Sequence, residues 1–238
     1  MKKVRVEAST KKDRTSEIFG NPMSKKVIRK AQKSKQKNQK KYGDDSKVNY
    51  QCIIRDNSCI GEPLGVKNVV VTRKEGKGSF DEEKGVIVGN IRMGFGHYRI
   101  SMAIASAAHA LGYTPYWMDL NSYPETTCTK LISAQNELYS LGSRISQKSK
   151  LFNKFVWEPV NYEGFRQLSY NAADQKNAEL MAPVYHSVPK DIPVIATHVW
   201  PAQAAVHAGM KHVVNAIPDN WPMALHYAQG SLHTVQTH

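Results

Sequence analysis

Residues 85–101 read GVIVGNIRMGFGHYRIS, and this stretch limits the fold more than any other part of the chain. The apolar run Val86 to Ile91 has the length and β-branched character of a buried strand. It leads into Gly94, Phe95, Gly96 and His97. An Ala-rich segment, Arg99 to Leu111, has helical composition and ends at Gly112, a residue suited to a helix C-terminus. Thr114 to Leu120 supplies a second strand. Strand, glycine-rich turn, helix and strand make a βαβ unit, which predicts a parallel sheet with a right-handed crossover. The two glycines allow a sharp turn and close approach of the backbone to a ligand. The helix start behind them turns unpaired N–H groups and partial positive charge toward that ligand.

The alternation continues downstream. Helices are predicted over Glu125 to Ser140 and Phe165 to Met181, with an apolar, aromatic segment from Leu151 to Val160 between them. Pro193 to Ala196 reads as a short buried strand, opening into Thr197 and His198. A helix begins around Pro201 and runs to Ala208, before Gly209. His212 to Ile217 is a further strand ending at Pro218, Asp219, Asn220, Trp221 and Pro222. Gly230 to His238 holds a last short strand. The repeated β–α order predicts a Rossmann-like, doubly wound α/β domain over residues 85–238. Val48 to Ile54 and Val66 to Thr72 read as two strands of a hairpin, so residues 48–84 are expected as a β-rich extension. Lys74 to Lys84 is a polar loop.

Charge is distributed unevenly. Residues 1–50 hold 13 Lys and 3 Arg against 5 acidic residues, a balance of +11. The whole chain carries +13, so the remaining 188 residues carry only +2. Residues 1–47 are therefore expected as a basic arm, mobile or partly helical, with too few apolar residues for a core of its own. Such an arm suits an anionic membrane surface or nucleic acid. It has few aromatic residues for base stacking, which weighs against nucleic acid. Cys52, Cys59 and Cys128 show no metal-ligand spacing and leave one unpaired, the pattern of a reducing, cytosolic compartment. There is no apolar run long enough to span a bilayer, and no apolar region follows Lys2, Lys3 and Arg5 to make a secretory signal.

In an open parallel sheet, ligands bind beyond the carboxyl ends of the strands. Three predicted strand ends carry polar groups: Gly94 to His97, Thr197 with His198, and Asp219 with Asn220. They would share one rim. His97 could simply cap the turn, or it could act as a general base, its position at a positive helix end keeping the ring neutral. Asp219 could cap a turn, orient a histidine or bind an acceptor hydroxyl. Asp119 ends the second strand where a dinucleotide fold binds ribose, but that fingerprint needs a third glycine and the chain has Arg99. His198, His207, His212, His226, His233 and His238 crowd the C-terminal part without metal-site spacing, and His226 and His233 are candidates to line the cleft. Lys150 and Lys154 interleave with Phe152, Phe155 and Trp157. That segment reads either as a partly buried helix with a solvated lysine face or as an interfacial membrane contact.

The segment Gly94 to Ala103, GFGHYRISMA, resembles the Gly-x-Gly-His-x-x-(Ser/Ala)-Ala motif of the monogalactosyldiacylglycerol synthase and processive diacylglycerol glucosyltransferase family. These are GT-B glycosyltransferases related in fold to the MurG enzyme. Thr197 to Ala202, THVWPA, is similar to that family's Thr-His-x-x-Pro-Ala segment, and Val213 to Pro222 resembles its strand ending in Asp. The resemblance covers residues 85–238. It implies the N-terminal, acceptor-binding half of a GT-B enzyme. His97 would be the catalytic base or acceptor-hydroxyl ligand, and Asp219 the acidic partner. Gly94, Phe95, Gly96, Tyr98, Thr197, His198, Asn220 and Trp221 would bind substrate.

The chain departs from the family in two places: Phe95 stands in the middle of the glycine loop, and Asn220-Trp221-Pro222 follows Asp219 where the lipid enzymes more often carry His-Pro. The implied reaction moves a sugar from a nucleotide-sugar, a UDP-sugar, to a lipid or other hydroxyl acceptor. No metal and no cofactor beyond the donor is called for. A second domain would hold the donor, and it is missing before His238, so the chain alone is expected not to turn over. The alternatives are a non-catalytic Rossmann-like binding module and a nucleic-acid-associated protein acting through the basic arm.

Overall fold

The computed structural model describes residues 13–74, 76 and 79–236. The first twelve residues of the expected basic arm, part of the Lys74 to Lys84 loop and the last two residues lie outside that set. The chain opens with a hairpin, β1 (Glu17–Ile18) and β2 (Asn21–Pro22). Its two turn residues, Phe19 and Gly20, both have positive φ, at 48° and 78°. That sign pattern matches the right-handed twist of paired strands.

Residues 25–42, expected within a mobile arm, form an 18-residue helix, α1 (Lys25–Tyr42). Ser24 caps its start by accepting from Val27 N–H, and Gly43 follows its end. Only Ala31 is fully buried. The helix is held largely by polar contacts on its inner side. Lys35 pairs with Glu179, Asn38 Nδ2 donates to Asn177 Oδ1 at 3.0 Å, and Asn177 Nδ2 donates to Ser34 Oγ at 3.1 Å.

The main sheet has seven strands. In chain order its elements are β3 (Gln51–Asp56), α2 (Gly61–Leu64), β4 (Lys67–Thr72), β5 (Gly85–Asn90), α3 (Gly94–Ala110), β6 (Thr114–Asp119) and α4 (Thr127–Lys148). They continue with α5 (Lys150–Phe152), α6 (Leu168–Ala178), β7 (Val194–Ala196), α7 (Val199–His207), β8 (Val213–Ala216) and β9 (Leu232–Thr234). The spatial order is β3-β4-β6-β5-β7-β8-β9. β3 and β4 pair antiparallel, and every other neighbouring pair is parallel. The expected hairpin at residues 48–84 is thus an edge of the same sheet. The sequence boundaries hold to within a few residues for the strands, but α3 begins at Gly94, five residues before the expected start.

All six residues of β5 are buried, as a central parallel strand covered on both faces requires. Alternate side chains feed two cores. Ile87 joins Met118, Leu131, Val184, Tyr185 and Val194 beneath α4 and α7. Val88 joins Trp117, Val66 and Ala105 beneath α2 and α3. Gly89 lets α7 lie close. A Cβ there would sit 3.2 Å from Pro201 Cβ and 3.5 Å from Ala196 Cβ.

Between α5 and α6 the chain makes two π-helical turns, Asn153–Trp157 and Val160–Gly164. Trp157 packs over Gly142, where an added Cβ would meet the indole at 2.4 Å, and lies 5.2 Å from the Tyr139 ring. Phe152 is half-buried, Lys154 stands 5.7 Å over the Phe155 ring, and Lys150, Leu151 and Phe155 face solvent. Of the residues expected at a membrane, Trp157 is therefore half-buried against α4.

Gly89→Val should force α7 away from β5 and lower the unfolding free energy by about 1–3 kcal/mol, as overpacking a filled interior does. Urea denaturation measures it, and an unchanged midpoint would show that α7 does not need the close approach.

Candidate functional site

The sheet order locates the cleft. From β5 the chain moves to β6 on one side, and later returns to place β7 on the other. The winding reverses between β5 and β7, and a crevice opens at such a point beyond the strand ends. Gly94 to His97 follow β5 there, and Thr197 and His198 follow β7. The two strand ends are joined directly: His97 Nδ1 lies 2.6 Å from the Thr197 carbonyl oxygen. A carbonyl only accepts, so Nδ1 carries the proton. A neutral His97 then bears its lone pair on Nε2.

The loop is shaped for this. Gly94 has φ +72°, a conformation L side chains rarely adopt, and a Cβ at Gly94 or Gly96 would meet nothing within 4 Å. The backbone of the loop is thus open to an approaching group. Its other side is anchored. Arg92 N–H donates to Asn121 Oδ1 at 2.7 Å, and Arg92 Nε pairs with Asp119 Oδ2 at 2.7 Å. Asp119 also accepts from Ser122 Oγ and Asn121 N–H. It is engaged in fixing the loop rather than offered to a ribose. Beneath the loop, Ser101 Oγ lies 3.0 Å from Thr197 Oγ1 and donates to Asn90 Oδ1 at 3.2 Å.

His97, Thr197, His198, Asn215, Asp219 and His226 line a shallow cleft open to solvent. His198 caps α7, its Nδ1 accepting from Trp200 N–H at 3.2 Å, and its ring lies edge-on to His97 at 5.0 Å. His226 Nδ1 accepts from Met223 N–H at 2.9 Å, which puts its proton on Nε2, 3.4 Å from Asp219 Oδ2. Burial pushes the His97 imidazole below its ordinary range, against the opposing effects of the Thr197 carbonyl and the Asp219 charge. Burial also lowers His226, with Asp219 opposing, and drives His198 well down, helped by its histidine neighbours. All three rings are therefore neutral at pH 7, and Asp219 is the anion among them.

Of the residues expected to bind substrate, Thr197 and His198 line this cleft with His97 and Asp219, while Gly94 and Gly96 lie in the first turn of α3 just before His97 and are not part of its lining. Phe95 and Trp221 are 80% and 86% exposed, each two residues from a cleft side chain. Asn220 is exposed beside Asp219. Tyr98 turns the other way and packs on Trp117 in the α3-side core at 5.4 Å. Of the two other histidines, His226 does line the cleft, while His233 accepts from Ala228 N–H at 3.0 Å and packs on Tyr227. Sequence reasoning missed the supports. Asn171 Nδ2 donates to both Ala224 O and Tyr227 O, at 2.6 and 2.7 Å, and Asn215 Nδ2 donates to His226 O at 2.7 Å. Those bonds fix the turn that carries His226. No local pattern announces them, because each joins segments more than ten residues apart. Among the described residues no cluster of His, Cys, Asp or Glu is placed to hold a metal ion.

A second buried group lies behind the cleft. Asp174 of α6 accepts a long hydrogen bond, 3.5 Å, from Nε1 of Trp200, whose ring packs on His198. Burial raises its carboxyl to about 7.

Fold and site together define an α/β protein with a histidine-lined cleft at the switch point of a parallel sheet. Residues 17–238 match the model of a family described as Domain of unknown function (DUF6937), and the chain belongs to that family. The match takes in α1 and the β3–β4 edge along with the cleft. No curated protein and no solved structure matches the chain.

The raised Asp174 carboxyl gives a signed pH effect. Between its ordinary value of 3.8 and about 7 the folded state holds a proton that the unfolded state releases. Stability attributable to this group therefore falls as pH rises through that window and stays low above it. Asp174→Asn should raise the unfolding free energy by on the order of 1–3 kcal/mol at pH 8 and by little at pH 4. Denaturant melts at the two pH values check this, and an equal gain at both would show that Asp174 is ionised throughout.

Proposed function

We propose that this domain is the acceptor-binding half of a GT-B-type glycosyltransferase, with His97 as general base. One observation carries the reading. The Thr197 carbonyl accepts a hydrogen bond from Nδ1–H of a ring kept neutral by burial, which leaves Nε2 as a proton acceptor in the cleft that Asp219 also lines. In the proposed step His97 Nε2 removes the proton of an acceptor hydroxyl. The acceptor oxygen attacks the anomeric carbon of a nucleotide-sugar, the bond to the donor diphosphate breaks, and the diphosphate leaves with the electron pair. Asp219 stabilises the imidazolium that forms, and His226 Nε2–H holds the Asp219 carboxylate. Open backbone at Gly94 and Gly96, in the uncapped first turn of α3, offers N–H groups to negative charge near the reacting atoms.

The cleft is shallow and encloses room for little more than a water-sized group, about 10 Å³, so by itself it surrounds neither a UDP-sugar nor an acceptor, and we assign the donor to a further domain. The sugar, the nucleotide and a lipid acceptor are carried over from the family resemblance alone. A non-catalytic binding module is the second reading, and the same small cleft favours it.

His97→Ala in the natural polypeptide, assayed with UDP-sugars and hydroxyl-bearing lipids, should lower turnover about 100- to 10,000-fold, the usual contribution of a general base. The thermal midpoint should stay nearly unchanged. Full activity in the variant would remove His97 from the chemistry. Tight UDP-sugar binding by residues 13–236 with no transfer would favour the binding module.

A further inference from the structure

We infer that the outer face of α1 is an electrostatic docking ridge for a bilayer surface carrying anionic lipid. The inference rests on α1 and is independent of the chemistry assigned to the cleft.

α1 is 18 residues long, about 27 Å at 1.5 Å per residue, and contains no acidic side chain. Eight of its cations are solvent-exposed: Lys25, Lys26, Arg29, Lys30, Lys33, Lys37, Lys40 and Lys41. At 100° per residue these eight fall within an arc of roughly 160°. The ninth, Lys35, lies on the opposite side and pairs with Glu179. Val27, Ile28, Ala31, Asn38 and Tyr42 share that inner side. The helix therefore separates its residues by charge around its axis. Its inner side is used for docking on α6, and its outer side is a straight, convex row of positive charge. Holding eight like charges on one helix face costs stability. Among the described residues the contact they make within the domain is that of Lys41, 5.1 Å over the ring of Tyr42.

The partner must be an extended polyanion, and three observations favour a lipid surface over a nucleic acid. The ridge has no aromatic side chain on its outer face for stacking on bases. Outside α1 the remaining 24 cations are set against 20 acidic residues, a net of only +4, so a rod-shaped duplex would find little further net positive charge beside the ridge. A plane of headgroups needs only a tangential line of charge. Finally, the segment after α4 presents Leu151 and Phe155 at 72% and 67% exposure beside Lys150 and Lys154, the mixture that partitions into a headgroup region. The inner side of α1 is occupied by α6. The ridge therefore acts by charge alone. Among the described residues no helix is long and apolar enough to cross a membrane, so a docking contact is the form such an association takes here.

The test is co-sedimentation of the full chain with vesicles of phosphatidylcholine alone and of phosphatidylcholine mixed with phosphatidylglycerol. Binding should require the anionic lipid and collapse as salt rises, since the screening length shrinks from about 10 Å at 0.1 M to about 3 Å at 1 M. The quadruple variant Lys26→Glu, Lys30→Glu, Lys33→Glu, Lys37→Glu should lose at least about tenfold in partitioning. A Lys→Gln set at the same positions should fall between it and the unaltered chain. Circular dichroism should be unchanged and the thermal midpoint equal or higher for both, because all four side chains are exposed and the substitutions relieve like-charge repulsion along the helix. Equal binding to neutral vesicles, or equal binding by the charge-reversed chain, would overturn the inference. So would competition in which duplex DNA strips the chain from anionic vesicles at matched phosphate concentration.

Discussion

The bond from His97 Nδ1–H to the Thr197 carbonyl ties together the two strands between which the sheet reverses its winding. Much else is arranged to make it possible. Gly94 must take a positive φ so that α3 can start where it does and bring His97 across. Gly89 must lack a side chain so that α7, and with it Thr197 and His198, can lie against β5. Ser101, one turn further along α3, repeats the tie one layer deeper through Thr197 Oγ1 and Asn90. Two elements wound in opposite directions are thus latched at their tips. The latch also selects the tautomer of the ring, so a structural bond and a chemical property come from the same atom pair.

The parallel core was legible in the sequence because burial on both faces writes a continuous apolar run, as in Val86 to Ile91, that needs no tertiary knowledge to recognise. The glycine loop was legible for the same kind of reason, since Gly94 and Gly96 have no other use in that place. α1 was read only as a partly helical arm because its attachment does not speak in hydropathy. Ala31 is its single buried residue, and Lys35, Asn38 and Ser34 hold it through Glu179 and Asn177. Polar docking of that kind looks like a solvated tract until its partner is known. Trp157 shows the same limit. Beside Lys154 it reads equally as an interfacial anchor or as a partly buried side chain, and it is Gly142, fifteen residues earlier, that provides the bare surface on which it rests.

The candidate site was legible as a set of strand ends but not as a mechanism. Position alone gathers His97, Thr197, His198 and Asp219, because the carboxyl ends of parallel strands share a rim. Which nitrogen bears a proton, and which anion has a partner, depends on contacts such as Met223 N–H to His226 and Arg92 to Asp119. Asp119 and Asp219 both follow strands and look alike in sequence. One is consumed in holding a loop, and the other is half-exposed at the cleft.

Asn171 gives the cleft a dependence on a distant helix. Its amide grips the carbonyls of Ala224 and Tyr227, on either side of His226, while its own helix, α6, is packed against α1. The His226 ring therefore takes its position from α6 as much as from the sheet. Its Nε2–H is what Asp219 sees. A shift of α6 would therefore lengthen or shorten that contact. The helix bearing the charged ridge and the His226–Asp219 pair are thus joined through α6, with a single asparagine as the link.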